Sequence, residues 1–378
     1  MIFLALRKLC GVSLLLLAAS ALLPAQSAGI AAAVPDEANL SIEPLNAMEK
    51  AVRAGDFKKI SSVVILRHGK LAYEVYFDGD AETPRDTRSA TKSITGTLVG
   101  IALDEHRIAS VSAPVLSFFP GRKVQNPDPR KNKMSVEDLL TMSSPLECDD
   151  WNEFSRGNEE RMYLVEDWAQ FFLDLPVYGG MRLPGEPEER PHGRRFSYCT
   201  AGIFILSPVL ERATGVSADQ YAQQKLFSPL GIHSAQWVYT SLDVPQTGGG
   251  LRLASRDLAK IAQLYLNGGV WRGQRIVSED WVKQSIAPQA RIDETTEYGY
   301  LWWLKSFRSK GGSTYPAFYM SGNGGNKVLG LPSLDMVVVI TSTNYNTKGM
   351  HEQTEKMLTD YILPAAQPST DSPPHKSE

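Results

Sequence analysis

Two β-rich regions lie far apart in this chain with a helical middle between them, and that placement limits the available folds more than any single motif does. At the front, Val63 to Leu66 and Leu71 to Phe77 flank Arg67-His68-Gly69-Lys70, and the second run alternates Leu71, Tyr73, Val75 against Ala72, Glu74, Tyr76. This pattern predicts a hairpin. At the back, Tyr298 to Leu304, Ala317 to Met320, Lys327 to Leu331 and Met336 to Thr341 read as further strands. Between them the periodicity turns helical: from Ser89 to about Glu105, after the cap Ser135-Val136-Glu137-Asp138, over about 201–214, after the capping box at Ser217, and over about 256–267. A last helix near 350–363 sets Met350, Met357, Leu358 and Tyr361 on one face.

The expected fold class is therefore α/β (α+β). Residues 35–110 and 290–366 form a mixed sheet-helix lobe built from both ends of the chain, and residues 111–289 an inserted helical lobe. About 350 residues exceed what one core usually holds, which favours two lobes.

Residues 1–28 carry Arg7 and Lys8, an apolar run around Leu14 to Leu17, and Ala25-Gln26-Ser27. That is the outline of a secretory signal peptide, too short in its apolar part for a membrane span. The mature protein is expected to be exported, periplasmic or secreted, with no stable membrane span. Without Arg7 and Lys8 the net charge moves from −3 to −5, and no long basic run tracks a phosphate backbone, so nucleic acid is not an expected partner. No Cys/His cluster has the spacing of a zinc site, and neither a metal nor a cofactor is expected. Residues 176–195, rich in Pro, Gly and charge, read as a long loop lining a cleft, and 367–378 as a disordered tail.

Chemistry is expected to begin at Arg88-Ser89-Ala90-Thr91-Lys92-Ser93. Ser89 is the only serine with a lysine three residues on, and Ile94, Leu98, Ile101 and Ala102 continue an apolar helical spacing that buries one face. Residues three apart share a helix face, with Cβ atoms about 5 to 6 Å apart, so the Lys92 amine can reach the Ser89 hydroxyl. The positive end of the helix dipole would face an anion formed there. Two later stretches can complete such a site: Phe196-Ser197-Tyr198-Cys199-Thr200 at the start of a helix, and Ser321-Gly322-Asn323-Gly324-Gly325-Asn326 between two strands.

This order of motifs resembles the serine β-lactamase and penicillin-recognising superfamily, and within it the class C-like branch of esterases, D-amino-acid-specific peptidases and 6-aminohexanoate-dimer hydrolases. Residues 134–144, Gly250-Leu251-Arg252 to Ala259, and Tyr298-Gly299-Tyr300-Leu301-Trp302-Trp303 extend the likeness over most of the mature chain. The resemblance implies an antiparallel sheet flanked by helices. It implies Ser89 as acyl-accepting nucleophile, with Lys92 and Tyr198 sharing its proton; which of the two is the base stays open, because coupled groups titrate together. It also implies an oxyanion held by the Ser89 N–H and by Gly325, with Thr200, Gly322, Asn323, Gly324 and Asn326 lining the substrate.

Two departures bear on substrate. Thr200 stands where β-lactamases usually carry Asn, and Gly322-Asn323-Gly324 lacks the Lys or His that would pair a carboxylate. Ester or amide hydrolysis of a small molecule therefore ranks above lactam or D-peptide hydrolysis, with a non-turnover penicillin sensor third. Asp150, in Glu147-Cys148-Asp149-Asp150, is read either as a solvated loop acid or as a rim acid for a substrate amine. Cys148 and Cys199 are expected to form a disulfide, the alternative being a buried free cysteine beside Tyr198. Trp302 and Trp303 are expected to divide between core and surface. The oligomeric state is left open.

Overall fold

The computed structural model describes residues 29–179, 192 and 194–366. The expected signal peptide, the C-terminal tail and most of the 176–195 loop lie outside the described residues. Helix α1 (Ile42–Ala54) leads into the hairpin β1 (Ile60–Arg67) and β2 (Lys70–Tyr76). Helix α2 (Thr91–Asp104) follows, then α3 (Val136–Leu140), α4 (Glu159–Met162), α5 (Thr200–Phe204), α6 (Leu206–Thr214) and α7 (Ser255–Leu266). Strands β3 (Ala290–Arg291), β4 (Thr296–Tyr298), β5 (Trp303–Arg308), β6 (Thr314–Gly322), β7 (Asn326–Leu331) and β8 (Met336–Ser342) precede α8 (Met350–Met357).

All eight strands join one antiparallel sheet in the order β2-β1-β8-β7-β6-β5-β4-β3. Both chain ends therefore build it, β1 lying against β8 through pairs such as Val64 with Val339. Strands β1, β7 and β8 are buried at every position. They read as near-continuous apolar runs because both faces are covered. Alternation sorts their side chains. Val63, Ile65, Leu329, Val338 and Ile340 pack with α1 and the C-terminal helices. Val64, Leu66, Val328, Val337 and Val339 pack into the larger core with α2, α7 and the helical middle.

Helix α2 departs from the expectation that it would bury a single face. Every residue from Thr91 to Ala102 is buried. An interior helix must satisfy its hydroxyls internally, and these do: Ser93 donates to Leu301 O (2.5 Å), Thr95 to Thr247 O (2.8 Å) and Thr97 to Ser93 O (2.9 Å). The helix that carries Lys92 is thus fixed from all sides.

Other differences are local. The run Tyr298 to Leu304 is broken, because Tyr300 N–H turns to Ser285 O and Leu301 N–H to Leu140 O, both at 2.9 Å, which ties the chain to the helical layer before β5 resumes. Ser135 forms its capping box, whereas the Ser217 hydroxyl donates to Asp219 Oδ1 and caps nothing. The helical middle also holds two small antiparallel ladders, one joining 85–86, 251–253 and 236–237, the other 270–271 and 274–275. Among the described residues no helix is long and apolar enough to cross a membrane.

Candidate active site

Ser89 lies in a single 3-10 turn, Arg88–Ala90, that runs directly into α2. The turn packs under the end of β6, where Gly322 takes the position that a side chain could not. A Cβ there would lie 1.8 Å from Thr87 O and 3.3 Å from Ala90 N. Ser89 is half-buried, and Lys92, one turn further on, is buried outright.

Lys92 Nζ has three neighbours within hydrogen-bond reach: Ser89 Oγ at 2.8 Å, Thr200 Oγ1 at 3.1 Å and the Gly248 carbonyl at 2.5 Å. An ammonium has three N–H donors, so this cage matches it completely. Burial nevertheless disfavours the charge and brings the lysine down to about 8, with the carboxylates of Glu159 and Asp150 holding it up. When the proton leaves, two N–H groups still serve Thr200 and Gly248, and the lone pair faces Ser89.

Tyr198 lies next to Ser89, and its ring lies 5.0 Å from Lys92 Nζ. Its phenol moves the other way: burial raises it, Ser89 lowers it by less, and Asp150 and Glu159 add to the rise. The neighbouring lysine thus does not make a phenolate of Tyr198. Of the two groups, Lys92 is the one poised to give up its proton near neutrality.

The Tyr198–Thr200 segment is held by residues 148–150. Cys148 and Cys199 are joined in a disulfide across 51 residues. Ser197 Oγ donates to Cys148 O (2.6 Å) and Asp150 N–H to Tyr198 O (2.8 Å). Asp150 departs from its reading as a loop acid in solvent: the residue is half-buried, and Oδ2 accepts the Thr200 N–H (2.6 Å) and Oδ1 the Glu159 N–H (2.9 Å).

The third stretch divides. Gly322 reaches the serine turn, while the rest folds away into a hairpin connection tied to residues 342–350. Asn323 exchanges side-chain and backbone hydrogen bonds with Asn346. The Asn326 amide accepts from Ser342 N–H and donates to Asn323 O. Gly324 N–H points at Met350 Sδ (3.2 Å). A Cβ on Gly325 would lie 2.2 Å from Met350 O. The glycine makes room for α8 and not for an acyl group, so this packing gives no support to the expected donor role of Gly325 or to substrate contact by Asn326. Lys327 does not replace the missing cation: it is buried beside Glu355 of α8 (3.1 Å).

Two contributors escaped the sequence reading. Gly248 supplies the Lys92 carbonyl partner, and Gly249 lies beside the serine turn, where an added Cβ would come to 3.7 Å from Arg88 C and 3.9 Å from Ser89 N. The triplet Gly248-Gly249-Gly250 was the available signal for a close backbone approach. The second is an aromatic wall. Trp151, 61 % exposed, stacks on Tyr198 with centroids 5.5 Å apart and planes 2° from parallel. Phe196 and Trp303 lie 6.4 and 5.9 Å from the Tyr198 ring. Trp302, by contrast, is wholly in the core.

Comparison with known proteins identifies the family and the fold. The chain is 28 % identical over 253 residues to the 6-aminohexanoate-dimer hydrolase of Paenarthrobacter ureafaciens, a match spanning 62 % of this chain and 59 % of that protein. In structure it is similar to a Bacillus anthracis protein of the 6-aminohexanoate-dimer hydrolase type (TM-score 0.66, 20 % identity, 89 % of this chain and 87 % of the other). It is also similar to a family VIII carboxylesterase (TM-score 0.62, 17 % identity, 87 % and 98 %). The Beta-lactamase family model matches residues 48–359, and with a model matching that much of it the chain belongs to that family.

Proposed function

We propose that this protein is an exported serine hydrolase acting through an acyl-enzyme on small, apolar ester or amide substrates. The observation that carries the reading is the cage around Lys92: a buried amine brought to about 8, 2.8 Å from the hydroxyl of a half-exposed serine. A serine hydroxyl is a weak nucleophile until a base takes its proton. Neutral Lys92 takes that proton as Ser89 Oγ bonds to the substrate carbonyl carbon. The carbonyl oxygen becomes an oxyanion facing the Ser89 N–H and the edge of β6 beyond Tyr319, where pairing with β5 ends. Collapse breaks the bond to the alkoxide or amine, which leaves with a proton relayed through the neutral Tyr198 hydroxyl and replaced from Lys92. Water then enters by the same route and releases the acid.

Substrate class follows from what surrounds the pair. Lys327 is buried against Glu355, so no cation from the third stretch meets a substrate carboxylate. The exposed rim beside Tyr198 is the indole of Trp151. Such a cleft favours an apolar or aromatic acyl group over the carboxylate of a lactam or D-peptide. Likeness to esterases and to an amide hydrolase supports the same reading.

The experiment is a substrate panel on the pure protein: p-nitrophenyl acetate and butyrate, a linear aliphatic amide, a chromogenic cephalosporin and a D-Ala-D-Ala peptide. Ester or amide turnover that vanishes in Ser89→Ala is expected. Cephalosporin or D-peptide turnover without ester turnover would instead support a cell-wall activity, and a stable penicilloyl adduct without turnover a sensor.

A further inference from the structure

Asp150 is a half-buried residue whose carboxylate the chemistry above does not consume, and each of its polar atoms is bonded into the site's framework. Oδ2 takes the Thr200 N–H at 2.6 Å and Oδ1 the Glu159 N–H at 2.9 Å. Its own N–H goes to Tyr198 O at 2.8 Å, and its carbonyl accepts Asn158 Nδ2 at 3.2 Å. These bonds end on the first residues of α4 and α5, where N–H groups have no partner inside the helix. A carboxylate there satisfies two of them and faces the positive ends of both helices. Two of these anchors belong to the proposed machinery: Tyr198 lies next to Ser89, and Thr200 Oγ1 accepts from Lys92 Nζ.

We infer that Asp150 is a positioning residue of the hydrolytic site, its carboxylate and backbone together holding the Tyr198–Thr200 segment in register with Lys92. The inference rests on the hydrolase reading and deepens it. The disulfide adds to the same register, since Cys148 lies two residues before Asp150 and Cys199 directly before Thr200. Both carboxylate oxygens already accept a backbone N–H of the framework.

Charge adds a second effect. The titratable groups facing Asp150 are Glu159 at the start of α4, Lys92 on α2 and, more weakly coupled, Tyr163 and Tyr198. Burial and then Glu159 raise the Asp150 carboxyl to about 6, and Lys92 and the Thr200 hydrogen bonds oppose this. The Asp150 anion favours the charged form of Lys92. Removing it must lower the lysine further, so the acid-side midpoint of activity moves to lower pH. The midpoint reports the Asp150 charge, and the plateau reports its hold on the Tyr198–Thr200 segment.

The test compares Asp150→Asn and Glu159→Gln with the wild type, using kcat and KM for a p-nitrophenyl ester from pH 5 to 10. Asparagine keeps one acceptor and turns an amide toward the other N–H. Expected for it are a kcat plateau lower by about 10- to 100-fold, little change in KM, and a midpoint displaced to lower pH. Glu159→Gln leaves the backbone N–H in place and should displace the midpoint the same way with an unchanged plateau. Should Asp150→Asn not fold, the wild type decides: the amide resonances of Thr200 and Glu159 should titrate together at about 6, and kcat should fall more steeply than one decade per pH unit below that point. An Asp150→Asn enzyme with lowered Tm but unchanged plateau and midpoint would overturn the inference, as would amides that do not titrate together. If the wild type hydrolyses no ester or amide, or Ser89→Ala still does, the hydrolase reading itself fails, a result distinct from these.

Discussion

Lys92 Nζ stands 2.8 Å from Ser89 Oγ, and the same nitrogen reaches the carbonyl of Gly248, 156 residues further along the chain. The lysine is therefore a junction between the serine helix and the 246–250 segment. Its protonation state decides whether Ser89 meets a donor or an acceptor. Because its free-amine fraction rises through about 8, kcat/KM for an ester should climb about tenfold per pH unit below that point and level off above it. Lys92→Arg keeps the charge and cannot release the proton. It should lose about 10³-fold or more in kcat. A pH profile flat from 6 to 9 would rule out Lys92 as base.

Tyr198 offers a sharper separation of chemistry from packing. Tyr198→Phe keeps the ring that stacks on Trp151 and removes only the hydroxyl next to Ser89. We expect a kcat loss of about 10²- to 10⁴-fold with KM within a few-fold of wild type. Since burial raises the phenol, no alkaline phenolate limb should appear near neutrality in the wild-type profile. Steady-state kinetics with one ester across pH reads both effects.

Trp151 has most of its ring in solvent while resting on Tyr198. If that face receives the acyl group, Trp151→Ala should raise KM for butyrate and benzoate esters by about tenfold, the equivalent of roughly 1.4 kcal/mol of lost apolar contact. Acetate esters should change much less. Equal losses across chain length would show that the indole supports Tyr198 and does not read substrate.

The Cys148–Cys199 bridge closes a long loop, with a sequence separation of 51. In the chain-entropy account a loop of that length constrains the unfolded state by about 4 kcal/mol. The double variant Cys148→Ser, Cys199→Ser should therefore unfold at markedly lower denaturant, as should wild type after reduction. Thiol counting under denaturing conditions without reductant should find neither sulfur free. Two reactive thiols at full stability would refute the bridge.

The β1–β2 hairpin was legible because Leu71 to Tyr76 alternates, and the sheet built from both chain ends followed from where the β-rich runs lie. Ser89 and Lys92 were legible because a spacing of three within one helix is local geometry. Tyr198 came only through the order of motifs. What stayed hidden depends on contacts across the chain. Gly248 has no chemical mark of its own, and its carbonyl matters because the fold sets it on Lys92. Asp150 looked like a surface acid because its neighbours Asp149 and Trp151 are polar or exposed, and its two N–H partners come from other segments. Gly325 was misread for a related reason: a strand's last residue and its turn carry the same glycines, and only the pairing of Gly322 with Asn326 tells which one reaches the serine.

That pairing supplies a test of its own. At Gly322 an added Cβ would lie 1.8 Å from the Thr87 carbonyl, two residues before Ser89. Neither partner is a flexible side-chain end, so the strand edge and the serine turn must separate. Gly322→Ala should therefore lower kcat by about 100-fold, the scale of an ångström-sized misplacement, while the far-UV spectrum stays native. Gly311→Ala, in the β5–β6 connection, meets nothing nearer than Ser309 Oγ at 3.8 Å and serves as the control expected to keep full activity. If Gly322→Ala turned over ester like the control, the end of β6 would have no part in setting the serine, and the oxyanion would need a second donor from elsewhere.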